Sequence, residues 1–157
     1  MQKKDVVEAL ISLLQEHLEA SRRASEDAAS YATDGEAKAR EKWETQGLEA
    51  SYLAAGQAGQ AKSLAAALQR LRAEYASLIA PSMTADLGAL AAIDFGGGTA
   101  EWYFLSPVGG GETVVVNDES CTVITPQSPL FAALRGAARG RTIRLANGAS
   151  ARVTAVG

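Results

Sequence analysis

Carboxylates crowd one stretch of the chain, where Asp34, Glu36, Glu41, Glu44 and Glu49 follow one another among few basic residues. Glu41 and Glu44 are three residues apart, so on a helix they share a face and can converge on one cation. The competing reading is a solvated helix surface. Trp43 lies between the two acids, and an exposed tryptophan in a polar segment expects a partner to cover it. His17 and Cys121 are the only residues of their kinds. With one of each, an internal disulfide and a multi-cysteine metal site are excluded, and Ser-His or Cys-His catalysis would have to run through His17. Two glycine triplets, 96–98 and 109–111, look superficially like phosphate cradles. Strand-like Glu101-Trp-Tyr-Phe104 and Thr113-Val-Val-Val116 follow them, whereas a phosphate loop needs a helix amino terminus there. Both triplets are therefore read as hairpin turns.

The acids need something to hold them, and the pattern around them is helical. Residues 5 to about 79 contain no proline. Positions 7, 10, 14, 17, 21, 24, 28 and 31 are spaced by threes and fours, and Leu64, Leu68, Leu71, Tyr75 and Leu78 repeat that spacing. Such a stripe is the seam of a coiled coil, and it places His17 on the seam. Projected backward, the second seam shrinks to Ala61, Gln57, Ala54 and Ala50, while the first runs from Val7, Leu10 and Leu14 down to Ala24 and Ala28. Large residues meet large ones only if the helices run antiparallel. Pairing Val7 with Leu78 and Leu14 with Leu71 places the fold-back between Lys42 and Trp43, with Glu41 and Glu44 astride it. At about 1.5 Å per residue the hairpin is on the order of 50 Å long.

Pro81 ends the helical stretch, and short apolar runs broken by glycine take over. Strands are expected near 89–95, 101–106, 113–117 and 121–125, and a short helix near 128–135. A hairpin of strands near 141–146 and 150–156 follows, turning at Asn147-Gly148. The fold class is thus α+β: an N-terminal antiparallel α-helical coiled-coil hairpin over 1–80, then a small α+β domain over 81–157.

Composition narrows the partners. No apolar run approaches the roughly 20 residues of a membrane span, and the start Met1-Gln-Lys-Lys-Asp5 has no apolar stretch typical of a signal peptide; the expected address is cytoplasmic, with no membrane partner. A net charge of −3 argues against broad binding to nucleic acid. The charge is segregated, however. After Glu119 there is no acid, and Arg135, Arg139, Arg141, Arg144 and Arg152 make the last part basic.

The stretch from Val123 to Ile143 resembles the Gre-factor family, which carries a Ser-Pro-Leu, then a Leu-x-Gly, then a glycine opening the penultimate strand. Here these are Ser128-Pro129-Leu130, Leu134-Arg135-Gly136 and Gly140. Leu48-Glu-Ala-Ser-Tyr-Leu-Ala-Ala55 is similar to the start of that family's second helix, so the resemblance covers essentially the whole chain. It implies an FKBP-like sheet domain that docks on bacterial RNA polymerase at the rim of the secondary channel, with the helical hairpin entering. Acidic tip residues would help hold a second Mg2+ and position a water, and the polymerase's own active centre would cut the backtracked RNA near its nascent 3′ end. The chain would then be a monomeric accessory factor and not itself an enzyme.

On that resemblance Glu41 and Glu44 are the catalytic and Mg2+-binding candidates, with Asp34 and Glu36 in reserve should the turn fall at Asp34-Gly35. Trp43, Ser128, Pro129, Leu130 and Phe131 are the polymerase-binding candidates. Phe131 stands where the family often has a small residue, so an exposed apolar contact is expected there; the alternative is that this segment simply caps and fills the core. The tip departs from the common pattern Asp-x-x-Glu-Asn-x-Glu-Tyr. Aligning Tyr52 with that tyrosine puts Thr45 and Leu48 at the acid positions, with Glu44 and Glu49 one residue, or about 100° of helix, away. A non-cleaving channel-binding regulator is the alternative. A prolyl isomerase is a third reading, and no activity is expected because Phe95, Trp102, Tyr103, Phe104 and Phe131 suggest no aromatic-lined pocket.

Overall fold

Three helices open the chain: α1 (Lys3–Lys38), α2 (Glu44–Ala73) and the single turn α3 (Tyr75–Leu78). The computed structural model describes residues 1–38 and 44–157, and side chains at 1–30, 48, 49 and 51–157. β1 (Leu90–Asp94), β2 (Ala100–Leu105), β3 (Thr113–Val116) and β4 (Glu119–Ile124) follow, then α4 (Pro129–Leu134), β5 (Thr142–Arg144) and β6 (Ser150–Val156). The architecture is α+β. The chain forms two compact units, Leu14–Leu68 and a second made of Met1–Leu13 with Gln69–Gly157.

In the Leu14–Leu68 unit, Leu14, Leu18, Ser21 and Ala28 are buried on α1, and Ala61 and Leu68 on α2. Ser25 Oγ donates to the Ala54 carbonyl at 3.2 Å. Only five residues separate the helices, too short a link to return along their length, so this contact makes the two segments antiparallel. Among the described residues the seam differs from the expected one at a single step: Leu18 is buried and His17 exposed. The reason is helical pitch. Val7 to Leu18 is an eleven-residue interval, closer than a strict heptad to the natural 3.6 residues per turn, and it buries a leucine in place of an imidazole.

In the other unit, Val6, Val7, Leu10, Leu71 and Leu78 are fully or almost fully buried. Lys3 Nζ donates to the Ala80 carbonyl and, at 3.1 Å, to Ser82 Oγ, and Tyr75 OH donates to Glu8 at 2.8 Å. These pairs run antiparallel and lie within two positions of the register inferred from the seam. Burial of the Lys3 amine, which these two acceptors satisfy, lowers its pKa. This packing joins the first residues of α1 to the sheet unit, so the compact units are cut within the helices and not at the proline.

The sheet order is β3-β4-β2-β1-β6-β5. Neighbours are antiparallel except β2 and β4. Every strand expected from the sequence forms within a few residues of its predicted bounds. One sheet face carries Ala91, Ile93, Leu105, Ile124, Ala151 and Val153 against Phe131 and Leu134 of α4. On the other, Leu90, Phe104 and Val123 stand in register across β1, β2 and β4 and are buried. Ile79 and Pro81 line one cleft with Leu90, Trp102 and Val156, so the helix base lies over this face.

The first glycine triplet turns the β1–β2 hairpin, where Asp94 Oδ1 accepts from Gly96 N at 2.8 Å and Gly98 N at 3.2 Å. The second is not a hairpin. It sits in the connection from β2 to β3, which are not neighbours, because β4 returns between them. Nor does Asn147-Gly148 make the two-residue turn its sequence suggests. Gly148 alone has positive φ (84°) and its N–H donates to Leu145 O at 2.9 Å, as in a type I turn followed by a glycine bulge.

Candidate functional site

Two surfaces carry the residues the sequence singles out. The first is the acidic end of the helices. Glu41 and Trp43 lie outside the described residues, as do the side chains of Asp34, Glu36 and Glu44; the backbone places Asp34 and Glu36 near the end of α1 and Glu44 at the first position of α2. Glu49, the one acid of the group whose side chain is described, is exposed on the first turns of α2. Near it Leu48 (55%), Tyr52 (71%) and Leu53 (57%) are exposed. Leu48 and Tyr52 are four apart and share a helix face. Among the described residues no group of three or more acids, histidines or cysteines could hold a metal ion.

The second surface surrounds α4. Ser128 is the N-cap, extended at φ −76° and ψ 133° and making no side-chain cap bond, and Pro129 occupies the first turn, where its missing N–H costs nothing. Ser128 N donates to Thr125 O at 2.8 Å and Ala132 N to Ser128 O at 3.3 Å. Gly136 and Gly140 of the same motif both have positive φ, 76° and 88°. Their N–H groups donate to Ala85 O at 2.8 Å and Val153 O at 2.7 Å. The motif is thus a structural unit: its glycines take the conformations that only glycine reaches without strain, and each ties the helix to a neighbouring element.

Phe131 corrects an expectation. It is 4% exposed and sits in the core with Leu134, while Leu130 is half-buried against the same cluster. A six-residue helix has one inward stripe, and positions 131 and 134, three apart, occupy it. What the segment offers outward is Pro126, Gln127, Pro129 and Ala132. Beside them runs a groove lined by Pro107, Val108, Gly109, Gly110, Thr125, Pro126 and Gln127. The second glycine triplet helps form it, and a Cβ on Gly110 would stand 2.8 Å from Thr125 Oγ1. Sequence reading missed this role because the β2–β3 crossover that brings the triplet to residue 125 leaves no local signal.

The remaining candidates are structural. Cys121 is fully buried in β4, and burial pushes its thiol up to about 12, so almost no thiolate is present at neutral pH. We expect Ellman's reagent at pH 8 to label the folded protein far more slowly than the guanidinium-unfolded chain; equal rates would show an open thiol. The sign for stability follows from the same shift. The unfolded chain ionises first, so Cys121's contribution is present below about pH 9 and is lost as pH rises toward 12. Tyr103 shifts in the same direction, through burial and its 2.7 Å hydrogen bond to Glu101.

No protein-family model matches this chain, and no curated protein matches it. Among solved structures it is similar to the GreA factor homolog 1 (Gfh1) protein of Thermus thermophilus, at 18% identity over 95% of each chain with a TM-score of 0.36. It is also similar to a structure described as the transcription factor Gfh1, at 16% identity over 94% of this chain and 93% of that one, with a TM-score of 0.37. Overlap this loose decides nothing about activity. Among the described residues, no helix is long and apolar enough to cross a membrane.

Proposed function

We propose that this chain is a Gre-like factor that binds bacterial RNA polymerase through the secondary channel and stimulates cleavage of backtracked RNA. The observation that carries the reading is the motif from Ser128 to Gly140, whose residues resemble that family's and which folds as one unit around α4 with an exposed rim at Pro126, Gln127 and Pro129. Two long antiparallel helical segments, with Asp34 and Glu36 near the end of the first and Glu44 at the start of the second, support the second half of the reading. A paired helix is stiff enough to carry carboxylates into a narrow channel. An FKBP-like sheet domain, monomeric and docked at the channel rim, belongs to the same proposal.

The chain would act as an accessory, not as an enzyme. Mg2+ enters only as an ion of the polymerase's own centre, for which Glu41 and Glu44 would add hard oxygen ligands. The reading is tested by RNA release from a halted, backtracked polymerase complex with and without the protein. Faster release of short 3′ fragments is the expected outcome, and no change together with retained binding rejects cleavage stimulation.

One observation favours a second reading. Leu48, standing where the common family pattern has an acid, is 55% exposed on α2, with Tyr52 and Leu53 also exposed nearby. An apolar contact surface at that place suits a factor that occupies the channel and displaces cleaving factors. Competition without cleavage in the same assay would select it.

A further inference from the structure

The sheet ends in two unlike edges. β5 is three residues long and carries Arg144, with Arg141 just before it and Arg152 on the adjacent β6, all exposed. Charge on a short edge is a common defence against pairing with another chain. β3 has no such defence. Thr113-Val-Val-Val116 contains no charge and no proline, Thr113 is exposed, and Val115 is 63% exposed.

The turn beside β3 fixes which backbone groups face outward. Asn117 (φ 51°) and Asp118 (φ 64°) both lie in the left-handed region and connect Val116 to Glu119, which are register partners. This is the type I′ hairpin, so Val116 pairs with Glu119, and Val114 with Cys121, through ladder hydrogen bonds. Farther along, Val123 N donates to Glu112 O at 2.8 Å and Gly111 N to Val123 O at 2.9 Å, with Gly111 at φ 91°; a glycine bulge closes the ladder there. The N–H and C=O groups of Thr113 and Val115 therefore point away from β4, and β3 is the last strand of the sheet on that side.

Charge surrounds this edge without entering it. Glu112 stands at one end, and Asp118 and Glu119 at the other. Glu101 joins Glu119, Ser120 and Thr122 around a shallow cleft beside Trp102. The arginines of β5 and β6 are at the opposite end of the sheet. Five strand spacings separate the two edges, about 24 Å, which exceeds two Debye lengths at physiological salt. The arginines therefore do not neutralise the acidic edge; of its acids, Glu119 lies 3.9 Å from the N-terminal amine and Glu101 accepts from Tyr103 OH at 2.7 Å.

We propose that the β3 edge is a strand-addition site for an extended segment of another protein, apolar in its middle and bearing lysine or arginine at both ends. Main-chain hydrogen bonds to Thr113 and Val115 supply affinity, Val115 meets the apolar centre, and the acids at the two ends select for cations and fix the register. This inference does not rest on the polymerase reading.

The test uses the full chain and a blocked heptapeptide, Lys-Lys-Val-Thr-Val-Lys-Lys, followed by amide chemical shifts and hydrogen exchange. Binding is expected to shift and protect the Thr113 and Val115 amides, and a version with glutamate in place of lysine should fail. Val115→Pro removes an outward N–H and no donor of the β4 ladder, although it also fixes φ near −65°, and should weaken binding by about tenfold with the β4 ladder retained. Should that variant fail to fold, Val115→Lys, on an exposed position, reports the same loss by repulsion. Unperturbed β3 amides, equal binding by the variants, or preference for the acidic peptide each overturn the proposal. So does concentration-dependent self-association relieved by Arg144→Glu, which would seat a second copy's β5 on this edge.

Discussion

With Glu41 and Glu44 both replaced by alanine, stimulated RNA release is expected to fall by about 100-fold while affinity for polymerase stays unchanged. The argument is one of ligand chemistry. A divalent ion that bridges reacting oxygens contributes several kcal/mol of charge stabilisation, and removing the two carboxylates proposed as its ligands would forfeit most of the part they hold in place. Affinity should persist because the rim around Ser128 and Pro129 is untouched. A subtler control is the Glu41→Gln, Glu44→Gln pair, which keeps shape and an oxygen but removes both charges. Glu44 opens α2, where an acid is also favourable to the helix dipole by about 0.3–1 kcal/mol. If the loss were only helix fraying, circular dichroism would register it and glutamine would share it equally with alanine. Undiminished cleavage by the alanine pair would reject both residues and leave Asp34 and Glu36 as the acids to replace.

How legible this protein is depends on the range of the interactions. The seam was readable because a helix repeats its environment every three or four residues; Ala61, Leu68, Leu71 and Leu78 are buried where the spacing put them. It slipped at His17, where a strict heptad and the true helical pitch diverge by one position. The strands were readable from β-branched runs and glycine punctuation. Their order was not. No local feature states that β4 lies between β2 and β3, and so the second glycine triplet looked like a hairpin while it forms a groove with Thr125. The turns show the same limit. Asn147-Gly148 carries the stronger dipeptide signal, yet Asn117-Asp118 takes the two-residue turn, since short polar side chains tolerate positive φ and the strand twist rewards it. As for the candidate site, the Ser-Pro-Leu motif was visible but the direction of each side chain was not. Phe131 looked available for contact and is core, because a short helix can face inward only along one stripe.

Phe104→Ala is expected to destabilise the sheet-bearing unit by about 3–5 kcal/mol. Phe104 is fully buried in β2, a central strand, with Leu90 on one side and Val123 on the other in direct register. Truncation removes a large apolar group and leaves a cavity that two paired strands cannot close without breaking their ladders, so the cost lies above the transfer term alone. A small domain is stable by only about 5–15 kcal/mol in total, so guanidinium unfolding should begin at markedly lower concentration with an unchanged slope. Phe104→Leu fills much of the space and should cost well under half as much, which separates cavity formation from loss of the ring. The same substitution also tests the layering. Phe104 stands on the face that the helix base covers, so amides in 3–13 and 69–78 should lose hydrogen-exchange protection together with those of β1, β2 and β4. Loss confined to the strands would show that the helix base folds independently of the sheet beneath it.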